Sequence, residues 1–420
     1  MFVCANCGNE FSKWSGQCSV CGEWNSLKEI QNSKFKILKH KDKNFKKATI
    51  INLGKREKGK GEIEVISTQI GEFDRVLGKG IVRGSVVLFA GEPGIGKSTL
   101  LTQLIGKIGG LYVTGEESVD QIELRVKRIG LDFKKFDIVQ TNSIDDLEAT
   151  LVGKESIFQL MIVDSIQVMQ SGSIIAGAGS VAQIKESTFR LVQLAKKTGI
   201  AIFIVGHVTK EGDIAGPKLL EHMVDTVLYF EGERTSDLRV LRTTKNRFGP
   251  TDEVGIFRMG ERGLGEVEPD FANTTGEKVG SVLTIVLEGN RPILLEIQVL
   301  VVESFTPMPK RVFSGIDYNR GQLLLAVAQK ILGIPIYKYD VFVAVSGGIR
   351  IDDTGADLAV VEAIYSSYKN KPISNQRVTI GEVSLLGDVK KVKGWEKRLK
   401  EAARLGKEVV VLTQVKELKK

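Results

Sequence analysis

The chain has 420 residues, 42% of them hydrophobic and 26% charged, with 59 Lys and Arg against 51 Asp and Glu. At ~150 residues per domain this length predicts two or three domains, and the composition excludes a mostly disordered chain, a collagen-like one and a disulfide scaffold. The net charge of +8 favours an anionic partner, and it is confined to residues 1–60, where thirteen basic side chains face five acidic ones; the remainder is neutral.

The opening residues MFVCANCG lack the basic and apolar regions of a signal peptide. The longest apolar run, near Ile293–Val302, is broken by Glu296 and Gln298 and falls short of the ~18 residues of a membrane span. A cytoplasmic protein without a membrane partner is expected. All four cysteines lie in the first 21 residues, as Cys4, Cys7, Cys18 and Cys21, in the pattern C-x2-C-x10-C-x2-C. Each pair is followed by a glycine, so each can form a tight knuckle that points two thiolates at one ion, and two knuckles complete a tetrahedral S4 zinc site. A redox dithiol pair or idle thiols are the alternatives in a reducing compartment. The module, residues 1–30, is too small to bury a useful core, so Zn2+ would supply much of its folding energy. Trp14 and Trp24 are expected to pack on the knuckles. Residues 31–60, rich in Lys and Asn, read as a basic linker.

From Gly61 short β-branched runs alternate with helical patterns. Strands are predicted at Val86–Ala90, Leu111–Thr114, Leu160–Asp164, Ala201–Val205, Thr226–Phe230 and Leu238–Thr244, and helices at Ser98–Lys107, Val119–Ile129 and Val181–Lys197. The alternation predicts an α/β domain with a parallel sheet over residues 61–270. Within it Gly91, Glu92, Pro93, Gly94, Ile95, Gly96, Lys97, Ser98 and Thr99 follow an apolar strand, open a helix and satisfy G-x4-G-K-[ST]. Such a loop directs backbone N–H groups at a β-phosphate; Lys97 reaches the β- and γ-phosphates of ATP, and the Ser98 hydroxyl binds Mg2+. A glycine-rich turn that binds nothing is the bland alternative.

Asp164 ends a second apolar strand where a Walker B carboxylate belongs and would hold the Mg2+ shell; the alternative is a helix N-cap. Gly115-Glu116-Glu117-Ser118 ends a third strand. Either glutamate could polarise the attacking water, with Glu116 favoured, or both could be a solvated pair at a helix start. A Gly-rich stretch, Glu261–Gly280, marks a second boundary. Beyond it, residues 275–420 mix strands at Pro292–Glu303 and Tyr339–Val345 with helices at Gly321–Leu332 and Asp357–Tyr368, an α+β pattern.

Lys245-Asn246-Arg247-Phe248-Gly249 is by itself a basic turn after a strand. Joined to the C4 module, the Walker spacing and Gly115-Glu-Glu-Ser, it closely resembles the KNRFG signature of the bacterial RadA (Sms) family of RecA-like DNA repair and recombination ATPases. The resemblance spans almost the whole chain. It implies a RecA-like P-loop ATPase core and a ring-forming, hexameric motor that loads on single-stranded DNA and promotes branch migration of recombination intermediates beside a RecA recombinase. It implies that Lys245 and Arg247 sit at a subunit interface and reach the neighbour's ATP like an arginine finger. His207 falls where such proteins place a γ-phosphate sensor, though a merely hydrogen-bonded histidine fits equally. The loop Gln170–Ile184 is similar to a mobile DNA-facing loop, with Lys185 and Lys210 as phosphate contacts.

The C-terminal domain resembles the proteolytic domain of Lon, notably in Gly381–Val389. Matching Lon's segments to this chain puts Gly355 where the nucleophilic serine belongs and Glu396, beside Lys397, at the lysine position. An inactive, Lon-protease-like scaffold is expected, Ser346 reading as a turn residue. Lys390, Lys391, Lys393, Lys397, Arg398 and Lys400 offer DNA a basic surface unless they form only a solvated helix. The readings that compete with a DNA-dependent ATPase are an ATP-dependent protease and a nucleotide-switched, non-catalytic DNA-binding scaffold.

Overall fold

The structure is a computed structural model. It describes residues 2–6, 9–29, 64–153, 157–207, 220–232, 237–268, 270, 272 and 276–419. The predicted linker, Cys7 and Lys210 lie outside the described residues.

At the N-terminus β1 (Phe2–Cys4), β2 (Glu10–Phe11) and β3 (Leu27–Glu29) form an antiparallel sheet with β1 central. Its core is Cys4, Cys18 and Leu27, with Phe2 and Phe11 packed against them. That is too little apolar surface to hold a fold unaided. Trp14 and Trp24, expected to pack on the knuckles, stand outside this core. They are 57% and 67% exposed, and their ring carbons would stand 3.9 and 3.8 Å from a Cβ placed on Gly16. The small interior is already filled by Leu27 and the two phenylalanines, which leaves the larger indoles outside.

The chain divides into two compact units, the N-terminal module being counted with the first and the division running through the two strands that follow residue 231. After the module the first unit has β4 (Val65–Ile66), α1 (Gly71–Leu77), β5 (Ile81–Val82), β6 (Val86–Gly91) and α2 (Lys97–Ile108). It continues with β7 (Gly110–Thr114), α3 (Val119–Ile129), β8 (Phe136–Gln140), α4 (Ile144–Leu151), β9 (Leu160–Asp164), α5 (Val181–Thr198) and β10 (Ala201–His207). Then come β11 (Thr226–Glu231), β12 (Leu238–Asn246), β13 (Val254–Gly260) and β14 (Gly263–Glu266).

The sheet order is β14-β13-β12-β11-β6-β10-β9-β7-β8, with every pair from β11 to β8 parallel. Every residue of β6 and β9 is buried. Both faces of a parallel sheet are covered, so these strands read as unbroken apolar runs rather than as an alternation. The C-terminal ends of β6, β7, β9 and β10 meet at one edge of the sheet, where ligands of open α/β sheets bind.

The second unit is α+β. Its sheet has the order Ser281–Glu288, Arg291–Glu303, Tyr339–Val345, Arg311–Ser314, the last pair parallel and the others antiparallel. One face, with Leu295, Ile297 and Val299, packs in the main core with residues of helix Asp357–Lys369. The predicted helix from Gly321 starts earlier, at Tyr318, because the Asp317 side chain accepts the Arg320 N–H and caps it.

Arg398, expected on a basic DNA-facing surface, is instead 1% exposed. Its guanidinium donates to the Asp353 carboxylate and to the carbonyls of Ile285 and Lys393. A Cβ on Gly355 would sit 2.7 Å from Arg398 Nη1, so a serine cannot enter there without displacing the cation. Lys397 lies on the outside and donates to Asn290. Ser346 Oγ accepts the Glu296 N–H within a turn. Position 355 holds no serine, and the cation against it is an always-charged arginine, which is no general base.

Replacing Arg398 with Ala takes the guanidinium from the carbonyls of Ile285 and Lys393 and from Asp353, which keeps the N–H groups of Leu287 and Gly355. The cost expected for breaking such a buried pair is on the order of 3 kcal/mol, read as a lower urea midpoint for the unit. An unchanged midpoint would show that the pair contributes nothing.

Candidate functional site

The loop between β6 and α2 is shaped by its glycines. Gly94 and Gly96 have φ of +78° and +113°, the left-handed region, and a Cβ on Gly96 would fall 2.6 Å from Met259 Cε. α2 therefore starts at Lys97 with its first N–H groups turned toward the loop, a ready anion site. Lys97 is 3% exposed, and its Nζ donates to the carbonyls of Gly91 at 2.8 Å and Glu92 at 2.9 Å. Burial pushes its amine down to about 8, against the attraction of Asp164, Glu116 and Glu92.

Two hydroxyls converge on one oxygen of Asp164. Ser98 Oγ donates to Oδ2 at 2.7 Å, and the buried Tyr112 phenol donates to the same atom at 2.5 Å. No helix begins at Asp164; the next starts at Val181 and is capped by Ser180, so the N-cap alternative does not hold. Burial and the adjacent Asp164 charge push the Tyr112 phenol well above its ordinary range, which keeps it a proton donor.

The two candidate glutamates have different surroundings. Glu117 is held by Arg125 from α3 in a two-pronged pair at 2.6 and 3.0 Å, and Arg125 Nη2 also reaches the Tyr112 hydroxyl at 3.4 Å. Glu116 Oε1 instead accepts the Ser165 hydroxyl beside Asp164 and lies 3.8 Å from His207 Nε2 at the end of β10. α3 starts from Ser118, which forms a capping box with Gln121, so neither glutamate caps that helix. Burial first, then the Lys97 charge, lowers the pKa of His207. Its buried Nδ1 has no partner among the described residues.

Lys245, Asn246 and Arg247 are not in this cluster. Lys245 Nζ donates to the carbonyls of Glu221 and Val224, the latter at 2.8 Å. Arg247 Nη1 pairs with Asp225 Oδ1 at 3.0 Å, while Asp225 Oδ2 accepts the N–H of Val86 at 3.0 Å. Val86 opens β6 and Gly91 closes it, so roughly 16 Å of strand separates the signature from the phosphate loop. Asn246 fixes the turn, donating to Leu77 O and accepting the Phe248 N–H. Gly249 allows close approach, since a Cβ there would lie 3.1 Å from Leu77 O.

Loop Gln170–Ile184, expected to be mobile, carries its own ties. The buried Gln183 side chain accepts from Ser171 N and donates to the carbonyls of Ser171, Ile174 and Ala176. Lys185 is exposed beside it.

In the N-terminal module the sulfurs of Cys4, Cys18 and Cys21 all lie within 4.8 Å of one another, Cys4 and Cys21 at 3.6 Å. Tetrahedral sites with Zn–S bonds of about 2.3 Å hold their sulfurs about 3.8 Å apart, so these three thiols fit a shared zinc ion. Asn6 Nδ2 donates to Cys21 Sγ at 3.6 Å.

A Walker-type loop on the central strand, an Mg2+-suited hydroxyl–carboxylate pair and a glutamate one strand away define a RecA-like P-loop ATPase that carries a zinc ribbon. Residues 66–263 match the KaiC ATPase family, and residues 2–29 match the rubredoxin metal binding domain family. The DNA repair protein RadA of Bacillus subtilis is 43% identical over 420 residues, covering 96% of this chain and 90% of its own. DNA repair protein RadA of Campylobacter jejuni is 44% identical over 412 residues, covering 96% and 91%. The chain belongs to the RadA family. Among solved structures, a KaiC-like protein of Pyrococcus horikoshii matches at TM-score 0.41 and 21% identity, covering 49% of this chain and 100% of that one.

Among the described residues no helix is long and apolar enough to cross a membrane. Tyr112 and the Arg125–Glu117 pair behind it were missed in the sequence. A tyrosine inside an apolar strand carries no mark of the carboxylate it will meet.

Replacing Tyr112 with Phe removes one donor to Asp164 and keeps the ring. The Mg2+ concentration for half-maximal turnover should rise on the order of 5-fold, the worth of about one hydrogen bond. Because the Lys97 pKa lies below its unfolded value of 10.5, the amine is partly neutral from about pH 8 upward. Binding a triphosphate restores the charge, so it should take up protons near pH 8.5 and weaken as pH rises further. Calorimetry in buffers of different ionisation enthalpy reads that uptake. Changing Cys18 to Ser should abolish retention of one zinc per chain, measured with a chromogenic chelator after thiol modification.

Proposed function

We propose that this protein is a DNA-dependent ATPase of DNA repair and homologous recombination, working as a hexameric ring on single-stranded DNA and promoting branch migration. Its zinc module spans residues 1–30, its basic linker 31–60, its ATPase domain 61–270 and its Lon-protease-like domain 275–420. The observation that carries the ring is the position of the signature cations. Lys245 and Arg247 stand at the strand-start edge of the sheet, too far from Gly91 to serve the phosphate loop of their own chain. A neighbour's ATP is the substrate they can reach, in the manner of an arginine finger.

Within one subunit, Gly91–Thr99 cradles the phosphates, Lys97 neutralises them, and Ser98 and Asp164 would hold Mg2+. The metal, when bound, screens charge on the β- and γ-phosphates. Glu116 is the base that orients the attacking water, a role supported by the commitment of Glu117 to Arg125. Asp225 keeps Arg247 extended until an anionic partner competes for it. Cys4, Cys7, Cys18 and Cys21 would hold Zn2+, which stabilises the ribbon rather than taking part in hydrolysis.

The partners are single-stranded DNA, branched intermediates and a RecA-type recombinase in the cytoplasm. The buried guanidinium against Gly355 argues against the protease reading.

ATP turnover should rise on adding single-stranded DNA and vanish in Lys97→Ala. Mixing Lys97→Ala with Arg247→Ala chains, each inactive alone, should restore part of the turnover, because mixed rings contain sites with an intact loop facing an intact finger. No restoration in stable mixed oligomers would sink the assignment in trans.

A further inference from the structure

The turn between β7 and α3 is pinned on both sides of Glu116. Before it, the Gly115 N–H donates to Asp164 O at 3.1 Å, and a Cβ on Gly115 would fall 2.5 Å from Val168 Cγ2. After it, the Glu117 N–H donates to Thr114 Oγ1 at 3.0 Å, and that hydroxyl donates to Glu117 O at 2.8 Å. The Glu117 carboxylate is then held by the two-pronged grip of Arg125. Glu116 takes a different course from the same turn and reaches Ser165 and His207.

Stability alone explains Arg125 poorly. Its side chain is 10% exposed, against 39% for Glu117. A pair with a partly exposed carboxylate recovers little of the cost of desolvating a guanidinium. Arg125 Nε is buried with no hydrogen-bond partner among the described residues, which adds to that cost. What the arrangement secures is direction. The guanidinium carbon lies 5.8 Å from the centre of the Tyr112 ring, and Nη2 reaches the Tyr112 hydroxyl. The head is thus backed by the side chain that donates to Asp164. A planar fork held from behind fixes both oxygens of Glu117, which a single ammonium does not.

We propose that Arg125 is a positioning residue for ATP hydrolysis. It acts through Glu117 rather than on the nucleotide: locking Glu117 holds the turn so that Glu116 stays beside Ser165 and His207. The inference rests on the reading of Glu116 as the base. Glu116 keeps 40% of its side-chain surface open, which leaves room for the water it orients. Misplacing a reacting group by about 1 Å can cost roughly 100-fold in rate, so an anchor one residue away governs turnover more than folding.

The test is steady-state and single-turnover ATP hydrolysis by the full chain with single-stranded DNA present. Arg125→Gln should lower kcat about 10-fold or more and leave KM for ATP within about 3-fold, since no phosphate contact is lost. Glu117→Gln, at a partly exposed position, should lower kcat in the same way because it loosens the same grip. It keeps the test valid if Arg125→Gln fails to fold. In a Glu116→Ala background, Arg125→Gln should change the residual single-turnover rate by less than about 2-fold, because no carboxylate is left to place. An arginine that only supports the fold would lower that residual rate again. Wild-type kcat in both Arg125→Gln and Glu117→Gln, a matching loss of ATP affinity, or a further fall in the Glu116→Ala background would overturn the proposal. Wild-type turnover in Glu116→Ala removes the base assignment and this inference together. Loss of turnover in Glu116→Ala beside a wild-type rate in folded Arg125→Gln overturns this inference alone.

Discussion

Asp164 Oδ2 is the atom through which the nucleotide site is assembled. It receives a hydroxyl from α2 through Ser98 and a phenol from β7 through Tyr112, while the carboxylate itself belongs to β9. Two consecutive elements, α2 and β7, are thereby tied to a strand 66 and 52 residues further along the chain. The arrangement is stable because the strands are parallel: their C-terminal ends lie side by side, and residues that close separate β-α units become neighbours. A phenol that stays protonated and a serine hydroxyl are both donors, so the aspartate charge is solvated by the protein before any metal arrives. What the site then offers a divalent ion is a carboxylate whose rotamer is already chosen.

The same edge carries a counterweight. Lys97 is an amine in a desolvated place, held by two carbonyls and attracted by three carboxylates. Burial outweighs that attraction, which leaves a cation destabilised until further negative charge enters the loop. A phosphate chain supplies it. Affinity for an anionic ligand thus comes partly from relief of a cost already present in the folded chain.

Much of this was legible in the residues. The phosphate loop is readable because its chemistry demands glycines at fixed intervals between an apolar strand and a helix. The apolar runs at Val86, Leu160 and Ala201 are readable because parallel strands are buried on both faces. Less visible was β8, Phe136–Gln140, which lies at the sheet edge, is only partly buried and lacks the unbroken apolar pattern of its neighbours. Glu116 was favoured over Glu117 without sight of Arg125, which lies eight residues past Glu117, is brought back by a turn of α3 and engages Glu117. Arg398 was misplaced, and the exposure of Trp14 and Trp24 was not foreseen, because residue type predicts average burial, whereas local volume and local partners decide the individual case. An arginine surrounded by an aspartate and two carbonyls can be core, and a tryptophan beside a three-residue core cannot.

The plug formed by Arg398 against Gly355 also bears on which substitutions the domain can accept. A side chain at position 355 meets the guanidinium, and loss of the guanidinium takes from Asp353 its charged partner, leaving the N–H groups of Leu287 and Gly355. Either change alone disturbs the buried contact, so the two positions are coupled. A side chain at 355 is tolerated where the residue at 398 is shorter, and the two substitutions together cost less than the sum of each alone.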